Sequence, residues 1–142
     1  MKGAPILWMA LAVAVSAGAR PRADGLVNSA SYMPPGLPNS GIAQGAIFAL
    51  FGEGLGPAAI AYSPRIPLDT RVGGTSVRIE SGGTIYQAPL VYSMAGQVAG
   101  IFPSAVPEGA ADVVVTYNGE DSNRLLVQVR RSAFGIFTQN QA

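Results

Sequence analysis

The side chains available for chemistry in this chain are carboxylates, amides, hydroxyls and phenols, because histidine and cysteine are both absent. Without them no Ser-His or Cys-His nucleophile pair can be built, and neither can a zinc centre of the usual ligand types. Paired carboxylates could still act as acid and base. Asp24, Glu53, Asp69, Glu80, Glu108 and Asp112, however, are spread over expected loops and strand ends. Nothing in their spacing draws two of them together, so they read as surface acids. The run Asn118-Gly119-Glu120-Asp121-Ser122-Asn123 gathers oxygen-bearing side chains of the kind calcium takes. Its spacing is not that of an EF-hand, and the turn-forming residues of a hairpin tip explain it equally. Gly52-Glu53-Gly54-Leu55-Gly56 follows an apolar run and invites comparison with a phosphate-cradling loop. Such a loop works by opening a helix, and Pro57, Pro64 and Pro67 deny one here. Sugar binding on a sheet needs exposed aromatic rings. The one tryptophan, Trp8, lies in the N-terminal apolar segment, which leaves Tyr62, Tyr86, Tyr92 and Tyr117, some of them needed for the core. The sequence therefore nominates no catalytic, cofactor-binding or metal-binding residue, and the chain reads as a non-enzyme that binds divalent metal weakly or not at all.

Those side chains must be positioned by elements that 142 residues can form, a length that suits one domain. The chain opens with Lys2, an apolar run from Ile6 to Val15, and the small-residue stretch Ser16-Ala17-Gly18-Ala19. This is the pattern of a secretory signal peptide cut after Ala19, and the run is too short to span a bilayer. Residues 1–19 are thus expected to be removed and the rest exported, to a periplasm, a cell surface or the medium. No lipid anchor can follow, since that needs a cysteine at the cut. Loss of Lys2 leaves eight arginines against eight acids, a balance with no electrostatic footprint for nucleic acid. Eighteen glycines and eleven prolines in a chain that is 49% hydrophobic indicate an all-β domain rich in turns.

Within the remainder, 20–24 reads as a mobile polar leader, 25–131 as the domain and 132–142 as a C-terminal tail. The strands expected are Gly25–Ala30, Ala46–Phe51, Thr75–Glu80, Thr84–Gln87 continuing to Tyr92, Gln97–Phe102, Ala111–Tyr117 and Leu125–Val129. Ala46–Phe51 is uniformly apolar and reads as a central strand buried on both faces. Val77 and Ile79 alternate with Ser76, Arg78 and Glu80, the period of a half-buried strand. Ser81-Gly82-Gly83 is a hairpin turn, and Pro89 should force a bulge or a change of sheet. The expected core is Leu26, Ile47, Ala49, Phe51, Val77, Ile79, Leu90, Val113, Val115, Leu125 and Val127. About seven strands with regular turns spell a Greek-key β-sandwich.

Several phrases, taken in order, carry a resemblance. They are Val27 to Tyr32, Ile42 to Ile47 with Phe51-Gly52, Pro67-Leu68, Gly73 to Val77, Ala88 to Tyr92, Gly96 to Val98, Phe102-Pro103, Val113 to Gly119, and Gly135-Ile136-Phe137-Thr138. Together they resemble the uncharacterised C-terminal domain family of exported Solibacter-type acidobacterial proteins, whose first half is immunoglobulin-like, of the IPT/TIG kind. Gln44, Met94-Ala95, Val98-Ala99 and Phe134 depart from the pattern; the family favours an asparagine where Ala99 stands. The resemblance implies an immunoglobulin-like fold and export in a bacterium, and no chemistry. In the family the Gly-Ile-Phe-Thr phrase leads into a second β-rich half, whereas here four residues follow it. The tail is therefore expected to add no strand and to present Phe134, Ile136 and Phe137 to a protein partner or second β domain, with self-association where that partner is missing. The expected function is a non-catalytic immunoglobulin-like module serving surface or inter-domain protein contacts. The alternatives are a polysaccharide-binding module, for which a glycan would be the partner, or an accessory fragment of a larger secreted enzyme.

Overall fold

The computed structural model describes Gly3, residues 18–38 and residues 40–139. The apolar run Ile6 to Val15, and with it the expected signal peptide, lies outside the described residues. The described chain is all-β, an immunoglobulin-like Greek-key sandwich of two sheets. Its strands are β1 (Arg22–Asn28), β2 (Ile42–Ala43), β3 (Ile47–Glu53), β4 (Ala61–Tyr62), β5 (Arg71–Val72), β6 (Thr75–Ser81), β7 (Thr84–Gln87), β8 (Leu90–Met94), β9 (Gln97–Ile101), β10 (Gly109–Tyr117), β11 (Glu120–Asp121) and β12 (Leu125–Arg130). One sheet runs β1-β3-β9-β8-β4. The other runs β2-β12-β10-β6-β5, with β7 also on β6 and β11 on β10. No described helix is long and apolar enough to cross a membrane.

The chain changes sheets where its sequence requires it. β2 pairs in parallel with β12, and after it Gly45, at φ 75°, turns the backbone into β3 of the opposite sheet. Gln44 holds this corner from both ends, its backbone N–H donating to Arg130 O and its side-chain amide to Val106 O at 2.6 Å. Another crossing is at Ala88-Pro89. β7 lies on β6, β8 lies on β9, and proline between them removes the ladder donor that would hold both in one sheet. The Gly82-Gly83 hairpin has both residues at positive φ, the conformation that tight hairpins need.

The alternating strands face as their sequence dictates: Val77, Ile79, Val113 and Val115 are all fully buried between the sheets. β3 corrects the reading of Ala46–Phe51 as buried on both faces. Its inward residues are Phe48 and Leu50, whereas Ile47 is 42% exposed and Phe51 only half-buried. A uniformly apolar run has no alternation from which to read its phase, so the phase is decided by what the facing sheet accepts. Phe48 is accepted because Gly100 leaves room for it: a Cβ on Gly100 would come within 2.9 Å of Phe48 Cζ and 2.6 Å of Pro89 O. Phe102 meets the same ring edge-on, with centroids 6.5 Å apart. Leu125 is likewise half-buried at the rim rather than central. β1 starts at Arg22, inside the stretch expected as a mobile leader. Asp24 bulges from its ladder with β3 there, and the amide of Asn123 clasps Ala23, accepting from its N–H at 2.8 Å and donating to its carbonyl at 3.0 Å.

Phe48→Ala should therefore cost about 3–5 kcal/mol and Phe51→Ala only about 1–2 kcal/mol. Urea denaturation of the two variants checks this, and equal losses would mean that the phase of β3 is wrong.

Candidate functional site

Because Phe48 and Leu50 face inward, Ile47, Ala49 and Phe51 face away from the second sheet, and cross-strand pairing extends this outer face residue by residue. One row runs Val27, Ala49, Ala99, Tyr92, Tyr62 across β1, β3, β9, β8 and β4. The next runs Gly25, Phe51, Gln97, Met94. Ala49 and Ala99 are 1% and 4% exposed although they point outward, so neighbouring side chains close over them. Large rings border this floor. Tyr32, held at φ 49° in the turn after β1, brings its ring 6.3 Å from that of Phe51. On the other flank Tyr62 and Tyr92 meet edge to face with centroids 6.0 Å apart, and Tyr62 is 64% exposed.

The polar part of this face is one amide and the phenols. Gln97 Nε2 donates to the Tyr92 oxygen at 2.7 Å, which leaves the phenol's own proton free to donate outward. Burial pushes the Tyr92 phenol above its usual range, and the adjoining Tyr32 and Tyr62 phenols add to this against the opposing Gln97 bond. Tyr92 therefore stays neutral at any physiological pH. No carboxylate, lysine or arginine occupies either row. Glu53, the next outward residue of β3, is paired with Arg22 at 3.9 Å.

Of the tyrosines singled out from sequence, the fold brings Tyr62 and Tyr92 together, packs Tyr86 against the core, and leaves Tyr117 on the other sheet. Tyr32 and Phe51 are the members that sequence reasoning missed. Tyr32 follows a turn and carries no periodic signal, and Phe51 had been assigned to the core.

The glycine-rich stretch after β3 is structural. A Cβ on Gly52 would strike the backbone of Arg22, and one on Gly56 would lie 3.0 Å from the backbone of Met94. Leu55 between them is fully buried, and its carbonyl accepts from the Thr75 hydroxyl at 2.9 Å. Of the scattered acids, the fold brings Glu80 and Asp112 together as cross-strand partners that share Arg124, and among the described residues no group of three or more carboxylates could hold a metal. In the Asn118–Asn123 loop the side chains of Asp121, Ser122 and Asn123 are already committed. Asn118 and Gly119 form the left-handed hairpin turn, Ser122 accepts from Val115 N–H and Asn123 clasps Ala23. Asp121 accepts from Arg78 Nη2 at 2.9 Å and from the Thr116 hydroxyl at 2.6 Å.

No family model matches the chain, and no curated protein matches it.

Arg78 extends this loop into a network on the outer face of the second sheet. It donates to Glu80 at 2.9 Å, and Arg124 donates to Glu80 from the other side while lying 3.6 Å from Asp112. The hydrogen bond from Arg124, then that from Arg78, holds the Glu80 carboxyl below its usual range; Arg78, then Thr116, does the same for Asp121. A depressed folded-state pKa stabilises the fold above the unfolded value, and that stabilisation is lost as pH falls through the folded one. Acidification from pH 6 through the ordinary carboxylate range near about 4 and below should lower the urea midpoint. In Arg78→Gln the same titration should be shallower; identical pH profiles for the two proteins would show that the network contributes nothing.

Proposed function

We propose that this chain is a non-catalytic immunoglobulin-like module of an exported bacterial protein, and that its C-terminal segment makes the contact with a second β domain. One observation carries the reading: the segment after β12 is held by its backbone at Ala133 and Gly135 while its large side chains stand in solvent. Asn28 Nδ2 donates to Ala133 O at 3.2 Å, and Asn28 Oδ1 accepts from Ala30 N–H at 2.8 Å. Gly135 presses on the same turn, where a Cβ would come within 2.7 Å of Ala30 Cβ and 2.9 Å of Ser31 N. The segment adds no strand. Phe134, Ile136 and Phe137 are 96%, 79% and 68% exposed.

Fixing a backbone costs entropy, and a fixed segment that displays three large apolar groups is suited to contact with another surface. Ile136 and Phe137 also border a shallow groove with Tyr32, so the apolar surface continues from the tail to the sheet face. The resemblance supports export and a following β domain, because the Asn-Ser-Ala-Ser-Tyr and Gly-Ile-Phe-Thr phrases that carry it are the two segments in contact here. The absence of histidine and cysteine supports a non-catalytic role. The charge balance supports a protein partner over nucleic acid.

The segment should drive concentration-dependent self-association where its partner is absent. Sedimentation velocity of the chain and of a variant with Phe134→Ser, Ile136→Ser and Phe137→Ser checks this. The variant should remain monomeric, with stability within about 0.5 kcal/mol of the parent, as expected for exposed sites. Monomeric behaviour of both proteins at all concentrations would remove the contact role.

A further inference from the structure

We infer that the outer face of the five-stranded sheet is a binding site for an uncharged polysaccharide of β-1,4-linked pyranose units, held in the notch between Tyr62 and Tyr92 and extended toward Phe51. It is a different surface from the tail and does not depend on the tail's role. Three features of the face select this ligand. The first is the rings themselves. A pyranose with equatorial hydroxyls presents apolar C–H faces, which pack on aromatic rings, while its hydroxyls project around the rim. The edge-to-face arrangement of Tyr62 and Tyr92 offers one sugar the face of one ring and the edge of the other.

The second feature is polarity at the right place. Gln97 fixes the Tyr92 phenol from beside the notch, so a hydroxyl donor and an amide oxygen stand at the edge of the stacking surface. A site built only for an apolar protein surface would leave both groups unsatisfied on docking. The third is charge. The two central rows hold no carboxylate and no cation, and Arg22 and Glu53 beyond them pair with each other. An acidic or sulfated polymer would find no cation, and an uncharged one loses no ion hydration.

The length fits a chain rather than a single sugar. From β4 to β3 is three inter-strand steps, about 14 Å, and rings stand at both ends, Tyr62 on β4 and Phe51 on β3, with Tyr92 and Met94 on β8 and Ala99 and Gln97 on β9 between.

Depletion of the full chain from solution by microcrystalline cellulose and by chitin tests the site, followed by calorimetric titration with cellohexaose and chitohexaose. Retention on either polymer is expected, and which one distinguishes a glucan from an N-acetylglucosamine polymer. Tyr62→Ala should weaken binding about tenfold, as loss of one aromatic contact implies. Tyr92→Phe, which keeps the ring and loses the hydroxyl, should weaken it about threefold. Ile85→Ser, an exposed change on the other sheet, serves as the control and should bind as the parent does. Tyr62 is exposed, so its variant should unfold at the parent's temperature. Failure of both polymers to retain the parent would overturn the site, as would Tyr62→Ala binding undiminished. A change in sedimentation with Tyr62→Ala and no polysaccharide retention would assign the face to a protein contact instead.

Discussion

The placement of Phe48 decides more of this molecule than any other single contact. Its ring fills the space over Gly100 and meets Phe102 edge-on, which no larger residue at position 100 would permit. Burying one phenylalanine is worth a few kcal/mol, a large share of the net stability of a small domain. Once Phe48 is inside, Leu50 must be inside too, and Ile47, Ala49 and Phe51 must be outside, because side chains alternate along a strand. The outer aromatic face is therefore a consequence of core packing. A one-residue slip of β3 would bury Phe51, empty the space over Gly100 and dismantle the rings around Tyr32.

With no cysteine in the chain, the two sheets are joined by packing and by a few polar pins set where strands cross. The Ser93 hydroxyl of β8 donates to Val72 O of β5 at 2.8 Å, and the Thr75 hydroxyl of β6 donates to Leu55 O at the end of β3. Asn123 ties β1 to the β11–β12 connection. Each pin satisfies a polar group that burial would otherwise penalise, and among the described residues no buried side-chain nitrogen or oxygen lacks a partner. The Ser93 and Asn123 pins sit at β1, β5 and β8, where the ladders are short or irregular, so they supply fixity where pairing alone supplies least.

How much of this was legible in the sequence follows from the kind of signal each element carries. Val77 and Ile79 alternate with polar neighbours, so their face could be read directly, and the β-branched run Val113 to Val115 marks a strand by propensity. Pro89 announces the change of sheet because it lacks the donor that a continuous strand needs. Ala46–Phe51 announces a strand but not its phase, since every residue in it is apolar. β2 and β4 were illegible because two-residue strands exist only through their partners, β12 and β8. The aromatic face was half legible. Tyr62 and Tyr92 stood out as candidates, but Tyr62 lies in a proline-rich stretch read as loop. Tyr32 reaches the face only through a left-handed backbone, and Phe51 reaches it only if Phe48 does not.

The tail and the aromatic face meet at the turn after β1, and this gives the turn a double role. Asn28 uses both halves of its amide there, one to close the turn through Ala30 and one to hold Ala133. The same turn sets Tyr32 in the left-handed conformation that brings its ring beside Phe51. A non-glycine residue in that region is uncommon and persists only where its surroundings over-determine it. Here the determinants are the Asn28 turn on one side and the Phe51 ring on the other. Ile136 and Phe137 border the groove at Tyr32, so a surface that docks on the tail touches the edge of the aromatic face. Tyr62 and Tyr92 lie on β4 and β8, and the Tyr32 phenol adjoins that of Tyr92. A domain seated on the tail would thus rest against Tyr32, whose phenol adjoins Tyr92, so the proposed protein contact and the proposed polysaccharide site would meet on this face.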